Sequence, residues 1–155
     1  MDEVALLRFL MEASRRGYAA ASSAVQTREA DHSTTIVLEQ GDWRFHDNFF
    51  GGEPYGGREV VFFQGRPVWI AVYYGYVEGA DVDAVYSFLR RALREAPPEF
   101  PVRGPATIHE DGFCYRNAYE GDVTRFWGEE TIHAEERLLY KAHYGGGLVD
   151  RRSGD

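Results

Sequence analysis

Two long stretches of this chain, from Thr34 to about Tyr76 and from Ala106 to about Tyr144, alternate in polarity with a period of two and are punctuated by turn glycines. A half-buried β-strand imposes that alternation, because successive side chains leave opposite faces of a sheet. Each stretch follows a segment with helical spacing. In residues 3–16, Leu6, Leu7, Leu10 and Ala13 share one stripe, while Arg8, Glu12 and Arg16 share another, and Gly17 ends the pattern. In residues 82–95, Val82, Val85, Tyr86, Leu89 and Leu93 form the apolar stripe. Asp81 stands where an N-cap belongs, and Pro97-Pro98 stops the helix.

The first stretch divides into strands at 34–39 and 43–50, joined by Gln40-Gly41-Asp42 and ended by Gly51-Gly52-Glu53-Pro54. Residues 58–64 and 67–76 read as a hairpin across Gly65-Arg66. The last of these strands is apolar on both faces and is expected to be central. The small, polar segment 18–33 reads as a long connection, either a lid or plain disorder. Residues 150–155 read as a frayed tail.

The two sections also match each other. With an offset of 70 at Gly51 and Gly121, and one inserted residue after that, Gly57 aligns with Gly128, Glu59 with Glu130, Arg66 with Arg137 and Ala71 with Ala142. Tyr73 then aligns with Tyr144 and Gly75 with Gly146. The expected fold is therefore α+β: an internally duplicated helix-plus-antiparallel-strands unit, with two helices packed on antiparallel sheet under pseudo-two-fold symmetry. One domain over 1–149 is expected, with repeats at about 3–77 and 81–148. Such a fold leaves a concave face, or a seam between halves, where a ligand can sit.

Charge and cysteine content narrow the classes of function. The 25 acidic and 17 basic side chains leave a formal net charge of -8. That balance argues against unassisted nucleic-acid binding. The single Cys114 excludes an intramolecular disulfide framework and a cysteine-rich zinc site. The start, Met1-Asp2-Glu3, is acidic where a signal peptide is basic, and the longest near-apolar run, 68–77, is too short to span a bilayer. A soluble cytoplasmic protein without membrane contact is expected.

The segment Asp47-Asn48-Phe49-Phe50-Gly51-Gly52-Glu53, with Gly57, Glu59, Pro67, Trp69 and Tyr73-Tyr74-Gly75, resembles a bacterial and archaeal family of unknown function. Arg103-Gly104-Pro105, Gly121-Asp122, Phe126, Gly128 and Tyr144-Gly145-Gly146 resemble its second half. The resemblance extends from the first helix to about Val149. Some members of that family follow a helix-turn-helix domain of the XRE regulator type, which implies an effector-sensing role. The family brings no catalytic residues to carry over. The architecture expected above also looks broadly like the duplicated multidrug-sensor domains of the gyrase-inhibitor type, an analogy of fold alone.

The residues themselves point to an aromatic face. Trp43, Phe45, Asp47 and Phe49 share one side of their strand, and Trp69, Ala71 and Tyr73 alternate likewise. Their aligned partners include Tyr115, Tyr119, Tyr140 and Tyr144. These rows are either core beneath the helices or a ligand-facing wall. An excess of Tyr and Trp over plain aliphatics suits the wall, since their polar tips need partners. Asp47 is the first candidate anchor, for a cation beside aromatic rings or as a base with a raised pKa. It alternatively caps the Gly51-Gly52 turn or meets an arginine. Glu53, Glu120 and Asp122 would add negative potential at a mouth, or are simply solvated. Glu59 and Glu130 suit structural pairing with Arg66, Arg137 or Arg103.

No metal site and no cofactor is expected. The five histidines lack helical i,i+4 spacing, and a site would have to be assembled across strands. Cys114 reads as a structural thiol with no histidine or helix N-terminus indicated beside it. The glycine clusters lack the helix and lysine of a phosphate loop. The leading expectation is a small-molecule effector-binding domain for an apolar or cationic organic ligand, held at Trp43, Phe45, Asp47, Phe49, Trp69, Tyr73, Tyr115, Tyr119, Tyr140 and Tyr144. The alternatives are a cofactor-independent enzyme using Asp47 or Tyr115, and a dimerisation or protein-interaction module.

Overall fold

A computed structural model describes residues 1–19, 25–79, 81–150 and 152. Helix α1 (Glu3–Ala19) is followed by strands β1 (Val25–Arg28), β2 (Thr34–Gln40), β3 (Trp43–Phe50), β4 (Tyr55–Phe63) and β5 (Arg66–Val77). Helix α2 (Val82–Arg94) then precedes β6 (Thr107–Glu110), β7 (Phe113–Asp122), β8 (Arg125–Ala134) and β9 (Arg137–Leu148). All nine strands form one antiparallel sheet in the order β1-β2-β3-β4-β5-β9-β8-β7-β6. The last strand returns to the middle and pairs with β5 from Trp69↔Leu148 to Val77↔Tyr140.

Both helices start on an aspartate. Asp2 Oδ1 accepts from the Val4 and Ala5 amides at 3.0 and 3.3 Å. Asp81 caps α2 in extended conformation and accepts from Ala84 N at 3.1 Å. Leu6, Phe9, Leu10 and Ala13 of α1 share one apolar cluster with Leu38, Phe45, Val61 and Trp69. Val85, Phe88, Leu89, Ala92 and Leu93 of α2 share a second with Tyr115, Ile132, Tyr140 and Ala142. Of the stripes read from sequence, Leu6, Leu10, Ala13, Val85, Leu89 and Leu93 are buried, whereas Leu7, Val82 and Tyr86 are half-buried and Phe9, Phe88 and Ala92 join the buried face.

The fold class is corrected by the sheet. The chain is mostly sheet, with only two short helices, of 17 and 13 residues, among the described residues. It is not an α+β domain built of two helix-plus-strands copies. The β5–β9 ladder fuses every strand into one nine-stranded sheet, with five strands contributed before α2 and four after it. The analogy to duplicated multidrug-sensor domains goes with that expectation.

Smaller boundaries move for local reasons. Gly17 does not end α1, which runs through it to Ala19. The 18–33 segment is not all connection, because β1 pairs there with β2; residues 20–24 of it lie outside the described residues. The β4–β5 turn falls on Gln64 and Gly65, at φ 50° and 77°. Of the 150–155 tail, only Asp150 and Arg152 are described. The expectation of a central strand at 67–76 matches β5, the fifth of nine. No described helix is long and apolar enough to cross a membrane.

Two glycines measure the tolerance of this frame. A Cβ on Gly146 would meet the Ile70 carbonyl oxygen of β5 at 2.0 Å, and backbone cannot yield as a side-chain tip can. A Cβ on Gly17 meets nothing within 4 Å. In urea unfolding, Gly146→Ala is expected to cost roughly 3 kcal/mol or more. Gly17→Ala should stabilise by about 0.5–1 kcal/mol. Equal effects at the two positions would contradict the close β5–β9 approach.

Candidate functional site

Strand register puts the whole aromatic set on one face of the sheet, the face that carries the helices. One row runs Phe49–Gly57–Tyr73–Tyr144–Gly128–Tyr119, each pair directly opposed. A neighbouring row runs Asp47–Glu59–Ala71–Gly146–Phe126, and another runs Tyr55–Gly75–Ala142–Glu130–Asn117. Directly opposed residues share a face, so these rows are physical neighbours. Phe45, Trp69, Tyr115, Tyr140 and Tyr144 are buried within the two apolar clusters. Trp43, Phe49 and Tyr73 are half-buried, whereas Tyr119 is exposed and stacks on Phe100 with ring centroids 3.8 Å apart.

Asp47 is buried in the row beside Glu59. Its Oδ1 accepts from the Tyr73 hydroxyl at 2.5 Å. Its hydrogen bond goes to the tyrosine rather than to the glycine turn. Burial drives its carboxyl up to about 6 from the ordinary 3.8, against the opposing pull of the Tyr73 hydrogen bond and the Arg103 charge. A carboxylate moved out of water holds its proton longer, because the charged form has lost its hydration.

Glu130 is the centre of a second buried group. It is fully enclosed, and its Oε1 accepts from Arg103 Nη2 at 2.5 Å. Its Oε2 accepts from the Tyr115 hydroxyl at 2.5 Å. The Tyr140 hydroxyl lies 3.5 Å from Oε1 and is also bonded to the Tyr55 hydroxyl. Burial, with the Glu130 charge second, raises the Tyr115 and Tyr140 phenols well above their ordinary range, so both stay protonated as donors. Tyr55 is likewise raised by burial. The Gly104 amide donates to Tyr115 Oη at 3.0 Å, and Asn117 Nδ2 donates to the Gly104 carbonyl at 3.0 Å. The Tyr144 hydroxyl completes that chain on Asn117 Oδ1 at 2.5 Å.

The α2–β6 connection brings Arg103 into this space. Phe100, Val102 and Arg103 are all buried and fill the β7–β8 side of the face between the helices. The β3–β4 side differs: Phe49, Tyr55, Gly56, Gly57 and Tyr73 are only half-buried there. Tyr55 and Tyr73 lie with ring centroids 5.9 Å apart and bridge the two apolar clusters. Glu53 closes one end, accepting from the Tyr86 hydroxyl and from Val77 N.

Other candidates have local partners. Asp122 accepts from Thr124 N and Oγ1 at 2.8 and 2.6 Å, which lowers its carboxyl pKa, and Glu120 is exposed. Arg137 donates to the Gly79 carbonyl, not to a glutamate. Glu129 meets His143 at 2.8 Å and Lys141 at 3.4 Å. Cys114 is corrected: His109 Nε2 lies 3.7 Å from its Sγ. Asp111-Gly112 is the signal that finds this pairing. A two-residue turn of that type opposes the residues on either side, and both its residues take positive φ. Of the arginines expected to pair with the aligned glutamates, Arg103 does so, on Glu130.

Residues 47–149 match the family described as a domain of unknown function (DUF5680), and the chain belongs to that family. No curated protein matches the chain. No solved structure matches it either.

Removing one side of the buried ion pair isolates the other. Arg103→Ala is expected to cost about 3–5 kcal/mol in equilibrium urea unfolding. Tyr115→Phe, which removes one donor to a charged acceptor, should cost about 1.5–3 kcal/mol. A loss below about 1 kcal/mol for Arg103→Ala would mean that water, not protein, surrounds the pair.

Proposed function

Membership of a family without an assigned activity leaves the site's own chemistry as the guide, and from it we propose that the domain binds a small organic cation. The ligand would enter at the half-buried Phe49, Tyr55 and Tyr73, and its charge would meet Asp47. One observation carries this reading. Three buried carboxylates, Asp47, Glu59 and Glu130, stand against one buried guanidinium, Arg103, among the described residues. Arg103 is bonded to Glu130, whereas the hydrogen-bond donor to Asp47 is the neutral Tyr73 hydroxyl. A proton meets part of that carboxylate surplus when Asp47 is neutral. A cation between aromatic rings would replace the proton, with ring faces adding attraction.

As an effector-binding domain the chain would act through a change in this seam, the role that the sequence resemblance to a family with helix-turn-helix-linked members implies. A second reading, a cofactor-independent acid–base enzyme, has the raised Asp47 carboxyl in its favour. Against it, a base in that role would have to release the Tyr73 hydroxyl that Asp47 Oδ1 already accepts from. An interaction module built on these rings is disfavoured because most of them lie under the helices.

The pH dependence has a definite sign. The folded chain keeps a proton on Asp47 up to about pH 6, whereas the unfolded chain releases it near 3.8. Stability contributed by this group therefore falls as pH rises between those values, by at most about 3 kcal/mol. Asp47→Asn is expected to flatten that decline and to be more stable than the parent at neutral pH. Calorimetric melting at several pH values measures both.

Binding runs the other way. Thermal shifts with hydrophobic ammonium compounds should grow as pH rises through 6, and neutral isosteres should give none of that growth. Asp47→Asn should remove the cation preference while remaining folded. Equal shifts for cations and neutral isosteres, or cation binding unchanged in Asp47→Asn, would overturn the proposal.

A further inference from the structure

We infer that Cys114, His109 and His133 form a binding site for a single zinc-class metal ion on the opposite, helix-free face of the sheet. The three residues sit on adjacent strands in direct register: His109 of β6 opposes Cys114 of β7, and Cys114 opposes His133 of β8. Direct opposition places neighbouring Cβ atoms about 5 Å apart on one face. Cys114 Sγ and His109 Nε2 are already 3.7 Å apart. Tetrahedral zinc, with Zn–S of about 2.3 Å and Zn–N of about 2.0–2.1 Å, sets its sulfur and nitrogen ligands about 3.6 Å apart. As the side chains stand, no three His, Cys, Asp or Glu among the described residues converge on one point. His133 completes the set by rotation about its side-chain bonds, within the reach that register gives it.

The surroundings favour a cation of this kind. All three side chains line an open concavity of about 730 Å³ at the ends of two adjoining hairpins. Both hairpin turns are tight, with positive φ at Asp111, Gly112 and Glu135, so the strands that carry the ligands are fixed. Arg116 also lines the concavity, as do Glu135 and Glu136, which outweigh it. Glu110 and Asp111 are engaged by Arg91 at 2.6 and 3.1 Å. A thiolate with two imidazoles selects zinc, cobalt or copper over magnesium and calcium. Three protein ligands leave a fourth position for water or for Glu135. This site is independent of the seam on the opposite face.

Cobalt(II) titration of the full chain tests it, because tetrahedral cobalt bound to thiolate has visible bands and a ligand-to-metal charge-transfer band. One equivalent of cobalt should produce both, and zinc should displace it. Cys114→Ser should abolish the charge-transfer band. His109→Ala and His133→Ala should each weaken binding by about tenfold or more. His143→Ala, on the same face but outside the concavity, should change nothing. In the unaltered chain, zinc should also slow alkylation of Cys114. Absence of a saturable spectrum, a spectrum without the thiolate band, or binding indifferent to Cys114→Ser and His133→Ala would overturn the inference.

Discussion

The pairing of β5 with β9 is the interaction on which the rest depends. It is the longest-range ladder in the sheet, and it turns two runs of hairpins into one surface. Its closeness is set by glycine: a side chain at Gly146 would collide with the β5 backbone. Because the ladder aligns Tyr73 with Tyr144 and Gly75 with Ala142, rows of side chains continue unbroken from one set of hairpins to the other. Two helices then cover the ends of those rows. The seam between them is a consequence of the ladder and of helix length together.

Burial chemistry decides what fills the seam. Tyrosines hold it together because each supplies an apolar ring and one hydroxyl donor. The donors converge on carboxylates that would otherwise be out of water without partners. On the β7–β8 side, Arg103 from the α2–β6 connection supplies the opposite charge, and Glu130 is fully satisfied. On the β3–β4 side, Asp47 has a neutral donor, and its carboxyl is held up by burial. The same row geometry thus gives one side a closed ion pair and the other a carboxylate whose proton affinity burial raises.

Local signals in the sequence were legible. Asp81 and the stripe around Leu89 locate α2, and the apolar run before Tyr76 marks a central strand. The aromatic candidates do share a face, since strand parity is a local property and register preserves it. What was not legible is long-range. Nothing local says that the last strand returns beside β5, so the balance between helix and sheet was misjudged. Val25–Arg28 gave no strand signal, because β1 is an edge strand exposed along its whole length, with no buried face to mark it. Arg103 was among the arginines expected to pair with the aligned glutamates and does pair with Glu130, but its burial is set by tertiary packing. His109 beside Cys114 was within reach of the Asp111-Gly112 turn rule.

The central claim is that Asp47 is a buried, proton-holding carboxyl at the open side of the seam. Its side-chain carbon resonance, followed by NMR through a pH titration, tests that most directly. The account predicts a midpoint near 6 in the free protein, and a lower midpoint once a hydrophobic cation is bound. A midpoint at the ordinary value near 3.8, insensitive to the cation, would contradict it.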